Sequence, residues 1–490
     1  MELNIEDFNR QINSALVGGK RGFEFIDVDV LAKMIGASEV ALRFLIGVFA
    51  GFPLAFIYLY MSNLSVYRKH VYFIFTGVLI NYFCFGSDFV YNLFSILVSY
   101  ASIAWFGGTI YNVIFAFVFN TIYLLAGYIL NASDGYDVKW TTPQCILCMR
   151  LIGLTWDIYD GIKKKEQLSS DQIDHCIEVK PTLIEIFGFS YCFCGFLGGP
   201  QFSFKRYLKF VQNSLVDDEA LDQISTRYFE SAKRFLAAFC VMIMYAVFDP
   251  YYRCDDQLTA EFLDKPFLWK VLQMGLIYYV QFSKYVIVWW FCESICILIG
   301  LSYEGVDKNG CAKWNGLRNF KLRQFIFGPF FQDIIESFNI NTNQWAGRYL
   351  FRRLKFLNNK TLSHVLTLLY LSVWHGFYVG YFIMFTMEFL SVIAERQLCF
   401  ACRNMFGMTF SELPLLLRIP VHVFGAVFKF LSCGFFVQSF MLLRWRRIKV
   451  VYSSVYYWPV IVLLTCIVVI VPTLTLLTKK LKRKQDKKNE

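Results

Sequence analysis

The sequence predicts an all-α protein that crosses a membrane several times. Of its 490 residues, 57% are hydrophobic and only 17% are charged, whereas a soluble chain carries about 25% charged residues. The apolar residues are gathered in runs, and a run of about 18 or more is long enough to span a bilayer as a helix. Such runs recur along the chain, so the fold class we expect is an all-α polytopic membrane protein.

The apolar runs indicate about eleven membrane helices or re-entrant segments. Several runs are shorter than a full span, and short or broken helices persist at membrane depth only where protein or a wet cavity covers them. We therefore expect a chamber within the membrane. The runs are Ala41–Ser62, Val71–Phe85, Phe89–Phe106, Thr109–Leu130, Cys145–Trp156, Leu183–Leu197, Phe235–Phe248, Val271–Phe282, Tyr285–Leu301, Leu366–Ile393, Val423–Leu443 and Tyr456–Leu477.

The polar segments between the runs are short, and none is long enough for an independent folded domain. We predict a polar N-terminal segment at 1–40, a single membrane domain at 41–478 and a basic tail at 479–490. The net charge of +11 lies in short loops and in this tail. Positive-inside bias and anionic lipid head groups explain that distribution, so we expect a lipid bilayer and no nucleic acid as partner.

The tail indicates where the protein resides. It carries seven lysines and arginines, which favours a cytosolic C-terminus, and it ends in KKNE. Lys487 and Lys488 therefore form a di-lysine pattern of the kind that retrieves multi-pass proteins to the endoplasmic reticulum membrane. The basic loop at 444–449 lies one span away and conflicts with this orientation, but the tail carries more charge.

The cysteines predict packing rather than a metal site. Two pairs have CxxC spacing, Cys145 with Cys148 and Cys399 with Cys402. A structural zinc site usually takes four ligands, often from two such pairs. These pairs lie far apart in sequence beside apolar runs, where free cysteine behaves as a small buried hydrophobe. We expect no metal.

His375 is the first candidate for chemistry, because it lies near the middle of a long apolar run, LLYLSVWHGFYVGYFIMF. An ionisable residue within a membrane segment is costly and usually faces the protein interior. Neutral imidazole can act as a general base, since its ordinary pKa is near 6.5. The alternative is a satisfied histidine that bridges two helices.

The second candidate is the segment FNINTNQW, which places Asn339 directly before a helical pattern. Asparagine favours helix N-caps and turns, so a surface turn is one explanation. A cluster of hydrogen-bond donors at a membrane cavity is the other. Beyond it, Arg348, Arg352 and Lys355 follow at intervals of four and three, which would place them on one helical face. That face suits the phosphates of CoA, and equally lipid head groups.

These motifs resemble the membrane-bound O-acyltransferase family, in its lysophosphatidylcholine and lysophosphatidylserine acyltransferase branch. The matching segments surround Asn339, continue through RYLFRRLKFLNNKTLS and VWHGFYVGYFIMFTMEFL, and end at Glu395 and Arg396. Upstream, LLAGY, DVKWTTPQC, GFSYCFCGFLGGPQFSF and AKW also match. The order of the motifs and the 36 residues from Asn339 to His375 carry the resemblance. The family pattern commonly has Trp before this Asn, and here it is Phe338.

The resemblance implies a catalytic His375 with Asn339 as its partner, acting on acyl-CoA as co-substrate without a cofactor. The acceptor would be the sn-2 hydroxyl of a lysophospholipid, giving phosphatidylcholine and also phosphatidylethanolamine or phosphatidylserine with unsaturated chains. Two alternatives stay open: a protein or sterol acceptor in the same family, and a non-enzymatic transporter or scaffold. The sequence leaves the oligomeric state open.

Overall fold

The computed structural model describes residues 27–36, 38–132 and 138–489, and it divides the chain into two compact units. The first unit contains the described residues up to Val241, together with Tyr285–Asn319 and Gln344–Arg353. The second unit contains Met242–Lys284, Phe320–Asn343 and the chain from Leu354 onward. The predicted segment 1–40 lies mostly outside the described residues, as do the side chains of Lys487 and Lys488.

The described residues form α-helices joined by turns and short 3₁₀ segments, without a β-strand among them. We number these helices α1 to α21. In order they are Val28–Ile35, Glu39–Tyr60, Val66–Phe85, Phe89–Phe106, Ile110–Leu130, Thr141–Gly161, Ser170–His175, Leu183–Ser190, Phe204–Val211, Thr226–Phe248, Ala260–Leu263, Phe267–Leu298, Leu322–Phe327, Phe331–Ser337, Ile340–Tyr349, Lys360–His375, Val379–Phe406, Leu415–Leu442, Trp445–Ser454, Trp458–Thr465 and Val471–Asn489.

Seven helical stretches within the described ranges are long and apolar enough to cross a membrane. The all-α polytopic fold class is therefore confirmed, whereas the count of about eleven membrane elements is not. The seven stretches are Glu39–Tyr60, Val66–Phe106, Ile110–Leu130, Thr226–Leu258, Phe267–Leu298, Leu415–Leu442 and Trp458–Lys480.

Two features explain why the runs and the helices differ. The run Val271–Phe282 and most of the run Tyr285–Leu301 belong to a single helix, α12, because the polar residues between them interrupt hydropathy but not helical geometry. The run Leu366–Ile393 is instead broken into α16 and α17. Gly376 separates them with a φ of 129°, which side chains of L-residues rarely allow. Apolar composition alone does not register either feature.

The first unit is built around α6, which is buried over 147–155. A helix that is covered on all sides belongs to the interior of a large bundle. Its one buried arginine, Arg150, donates to the carbonyls of Phe189 and Ser190 at 2.8 and 3.1 Å. These carbonyls end α8 and have no further partner within that helix. Arg150 therefore satisfies backbone groups that burial would otherwise leave costly.

The second unit packs α17 to α20 and the first half of α12 around one apolar cluster. Phe435 and Tyr452 stack at its centre, with ring centroids 3.7 Å apart. Ala394 of α17 and Val271 of α12 complete the contacts from the other helices. This cluster fixes α17 against α18, and both helices contribute to the candidate site.

Candidate active site

His375 is the last residue of α16, at the break that separates this helix from α17. Gly376 ends the helix with its left-handed backbone, and its N–H bonds to the carbonyl of Val373 at 3.0 Å. The imidazole is half-buried. No described residue forms a hydrogen bond with it, so the alternative of a histidine that bridges two helices finds no supporting bond.

Aromatic rings surround the imidazole of His375. Its ring centroid lies 4.7 Å from Trp374, 5.1 Å from Phe440 and 5.5 Å from both Tyr381 and Phe385. These neighbours come from three helices, α16, α17 and α18. They fix the orientation of the imidazole by packing, and an apolar surrounding favours its neutral form.

A close contact between α17 and α18 at Gly380 positions the aromatic rings around His375. The N–H of Gly380 donates to the carbonyl of Leu443 at 3.0 Å. A Cβ at Gly380 would lie 1.9 Å from the carbonyl oxygen of Ser439. Only glycine allows this approach of α17 to the end of α18, which brings Tyr381 and Phe440 together at 4.9 Å.

Asn339 occupies a sharp turn between α14 and α15. Its φ is 50°, in the left-handed region that asparagine adopts more readily than most residues. The preceding Phe338 is extended and forms a bridge with Phe320. The carbonyl of Asn339 accepts the N–H of Asn343 at 3.1 Å, which starts α15. Asn339 is half-buried, and Ser337 and Ile340 near it are buried.

The side chain of Asn343 fastens this turn. Its amide donates to the carbonyls of Ile335 at 2.8 Å and of Phe338 at 3.0 Å. The carbonyl of Ser337 accepts from the N–H of Lys321 at 2.9 Å. The backbone on both sides of Asn339 is therefore held by hydrogen bonds, and the turn is preorganised.

A row of rings joins the Asn339 turn to His375 within the second unit. Phe338 stacks on Phe282 at 5.1 Å, and Phe282 meets Phe440 edge to face at 6.2 Å. Phe440 in turn lies 5.1 Å from His375. Three ring contacts therefore link Phe338, the residue before Asn339, to His375.

Glu395 is a residue whose role the sequence did not reveal, although it lies in the segment that carries the family resemblance. Its carboxylate accepts the N–H of Phe331 at 2.6 Å and that of Gln332 at 3.2 Å. These two groups begin α14, the helix that leads to Asn339. Glu395 thus ties α14 to α17, the helix that follows His375. A lone Glu–Arg pair in the sequence gave no signal of this capping.

Arg348 and Arg352 lie in the first unit, where Asp171 pairs with both. Arg348 donates two bonds of 3.0 Å to the Asp171 carboxylate, and Arg352 donates one of 2.7 Å. Burial alone would raise the pKa of Asp171, but the hydrogen bonds and charge of Arg348, with the charge of Arg352, lower it below its ordinary value. A CoA phosphate would meet two arginines that already share one carboxylate.

Lys355 is exposed and belongs to the second unit. The helix α15 ends at Tyr349, and Phe351–Leu357 forms 3₁₀ turns. The expectation that Arg348, Arg352 and Lys355 share one face of a continuous α-helix is therefore wrong. The helix stops one residue after the first of these basic side chains. Their role in binding phosphate stays a prediction.

A buried ionic contact of the first unit involves Arg353, which the sequence did not single out. Arg353 pairs with Asp160, whose side chain is only 2% exposed, and its guanidinium lies 4.2 Å from the ring of Trp156. Beside it the hydroxyl of Tyr349 donates to Asp157 at 2.7 Å. Because buried ions need partners, these contacts are structural.

Comparisons with known proteins agree with the resemblance in the sequence. Residues 125–438, more than half of the chain, match the membrane-bound O-acyltransferase family. The chain is 38% identical over 439 residues to human lysophospholipid acyltransferase 5, covering 89% of each chain. It is 35% identical over 445 residues to lysophospholipid acyltransferase 5 of Drosophila melanogaster, covering 88% of this chain and 87% of that protein. It is also 26% identical over 424 residues to human membrane-bound glycerophospholipid O-acyltransferase 2, covering 82% and 78%.

Proposed function

Because the chain belongs to the membrane-bound O-acyltransferase family and is an acyltransferase, we propose that it transfers a fatty acyl group from acyl-CoA to a lysophospholipid. The acceptor is the free sn-2 hydroxyl, and the products are phosphatidylcholine, phosphatidylethanolamine and phosphatidylserine. The observation that carries this proposal is the similarity to human lysophospholipid acyltransferase 5, which extends over 89% of both chains. The non-enzymatic alternative is set aside by the family.

His375 is the general base of the reaction. Its half-exposed, neutral imidazole takes the proton of the acceptor hydroxyl, and the hydroxyl oxygen attacks the thioester carbonyl. This attack forms the new C–O bond and a tetrahedral intermediate, whose collapse breaks the C–S bond. The CoA thiolate then takes up the proton from the imidazolium. The thioester is already activated, so the step consumes no nucleotide and requires no metal.

Asn339 supports the negative charge that develops on the carbonyl oxygen, or positions the acyl donor beside His375. A side-chain amide can supply an oxyanion with a hydrogen bond, and it works best when its position is fixed before the reaction. The bonded turn described above supplies that fixed position.

The proposal includes the donor, the acyl chain and the membrane. Arg348, Arg352 and Lys355 bind phosphates of acyl-CoA, with Asp171 competing for the two arginines. The preferred acyl chains are unsaturated. The protein resides in the endoplasmic reticulum membrane with a cytosolic C-terminus, and Lys487 and Lys488 act as its retrieval signal.

The experiment that tests the proposal uses membranes containing the full chain, an unsaturated acyl-CoA and a mixture of lysophospholipids. Mass spectrometry follows the diacyl products. We expect products with choline, ethanolamine and serine head groups from the wild type. Removal of a general base costs about 10²- to 10⁴-fold in rate, so His375→Ala should lose the products to that degree. Asn339→Ala should lower turnover more than it lowers the amount of folded protein.

The same assay includes sterol and peptide acceptors. Acyl transfer to one of these without transfer to lysophospholipid would contradict the proposed acceptor and leave the family assignment intact. Near-normal turnover by folded His375→Ala would contradict the assignment of the base. If Asn339→Ala simply failed to accumulate, the residue would be a helix cap rather than part of the reaction.

A further inference from the structure

One face of α17 turns toward the protein interior and continues from the ring set around His375. Tyr381, Phe385, Glu388 and Val392 follow at intervals of four, three and four residues, so they share one helical face. Tyr381 is 4% exposed and Val392 is 1% exposed, which shows that the face is inward. Glu388 lies between them and is nevertheless only half-buried. Part of the Glu388 side chain is therefore accessible on this face of α17.

The Glu388 carboxyl has no partner among the described residues that forms a hydrogen bond or ion pair with it. Lys429, a buried cation on the neighbouring helix α18, instead donates to the carbonyl of Phe325 at 2.6 Å. A carboxyl group among apolar residues without a partner is costly, and such groups are kept mainly where they serve a function. A cation from outside the chain would supply such a partner.

The neighbours of Glu388 indicate which cation fits. Phe385, one turn earlier on the same face, has its ring 5.5 Å from His375. Tyr381, one turn before that, is also 5.5 Å from His375. Aromatic faces attract quaternary and primary ammonium groups, and a nearby carboxylate adds a full opposite charge. Aromatic rings together with one acid match an ammonium ion better than a hydrated metal ion, which prefers several oxygen ligands.

We propose that Glu388 binds the ammonium group of the lysophospholipid head group and thereby selects acceptors that carry choline or ethanolamine. This inference rests on the proposed function, because it assumes a lysophospholipid acceptor at His375. In such a lipid, the glycerol carbon, the phosphate and a two-carbon link separate the reacting hydroxyl from the nitrogen. Along the axis of α17, Glu388 lies about 4.5 Å beyond Phe385, whose ring contacts His375. The carboxylate is therefore displaced from His375, just as the ammonium group of the lipid is displaced from the reacting hydroxyl.

The test compares two acceptors that differ only in charge. One is lysophosphatidylcholine, and the other carries a 3,3-dimethylbutyl group, in which carbon replaces the choline nitrogen. Initial rates are measured with one acyl-CoA in membranes containing the wild type, Glu388→Gln or Glu388→Asp. Glu261→Gln is the matched control, because Glu261 is an acid of the same unit whose side chain is 86% exposed.

We expect the wild type and the Glu261→Gln control to favour the choline lipid by about tenfold in kcat/KM, mainly through KM. Glu388→Gln should lose most of that preference. The ratio of the two lipids within one variant does not depend on the amount of folded enzyme. If Glu388→Gln is inactive with both lipids, Glu388→Asp carries the test, and it should lower the ratio by moving the carboxylate away.

Two results would overturn the inference. One is a wild type that uses the charged and the neutral lipid equally. The other is a choline preference that persists unchanged in the Glu388 variant that carries the test. Both leave the proposed function in place, because acyl transfer is still observed. A wild type that acylates no lysophospholipid at all would instead refute the proposed function, and the outcomes are therefore distinguishable.

Discussion

Gly380→Ala tests most directly whether the close contact between α17 and α18 positions His375. The new Cβ would lie 1.9 Å from the carbonyl oxygen of Ser439 and 3.1 Å from the Cα of Leu443. An ordinary carbon–oxygen contact is roughly 3.4 Å, so α17 and α18 would have to separate by more than about 1 Å. Both neighbours are backbone atoms, and no side-chain rotation relieves the contact.

The expected cost has two parts. Overpacking of this kind destabilises by about 1–3 kcal/mol. A displacement of about 1 Å at the reacting groups can reduce the rate about 100-fold, and the separation would act on Phe440 and Tyr381, which hold the imidazole of His375. We therefore expect kcat for acyl transfer to fall by about two orders of magnitude, while the protein still accumulates in membranes.

Gly347→Ala is the matched control. Gly347 is also helical, but a Cβ there would meet nothing within 4 Å. Alanine is favoured over glycine in a helix by up to about 1 kcal/mol, so this variant should keep its activity and its thermal stability. Initial rates and thermal inactivation of both variants, each normalised to the amount of protein, measure the effect. Normal turnover by Gly380→Ala would refute the view that this contact positions the site.

Further predictions concern hydrogen bonds and ion pairs that connect the helices. Glu395→Ala removes an acceptor of two backbone hydrogen bonds and should lower kcat about 10- to 100-fold, whereas Glu395→Gln keeps one acceptor oxygen and should retain more activity; equal rates would contradict this. Arg353→Ala removes one cation from the buried Asp160, which keeps Gln172 at 3.1 Å and Lys163 at 3.7 Å, and should cost about 1–3 kcal/mol in thermal unfolding. Arg352→Ala, at a side chain 51% exposed, should cost less than about 1 kcal/mol. Asp171 has a lowered pKa, so its stabilising contribution is present above its ordinary pKa of about 4 and is lost as the pH falls through the lower folded value. Asp171→Asn should therefore reduce the acid sensitivity of stability, and an unchanged acid profile would contradict this.

The sequence predicted the fold class and identified His375 and Asn339 as candidate site residues. The structure gives a physical reason for each of these two signals. An ionisable side chain in an apolar run signals a special position, and the structure places His375 at a helix break among aromatic rings. An asparagine before a helical pattern signals a turn, and Asn339 has the left-handed backbone of one. Both signals are local, so the sequence could carry them.

The sequence did not reveal contacts between segments that lie far apart along the chain. Nothing in the sequence around Glu395 indicates that it would meet the first N–H groups of a helix 64 residues earlier. The sequence placed Arg348 and Arg352 on one basic face with Lys355, and it did not reveal the pairing with Asp171, which lies 177 residues before Arg348. The count of about eleven membrane elements was not confirmed for a related reason, since apolar runs report composition and not the backbone angle of Gly376. Tertiary pairing and φ angles decide these features.

The central claim is that His375 transfers the proton of a lysophospholipid hydroxyl during attack on acyl-CoA. Its most direct test is the release of free CoA thiol by the full chain in lipid bilayers, with and without lysophospholipid, for the wild type and His375→Ala. We expect thiol release by the wild type to depend on the acceptor, and to fall about 10²- to 10⁴-fold in the folded variant. A folded His375→Ala that releases CoA at a near-normal, acceptor-dependent rate would contradict the claim.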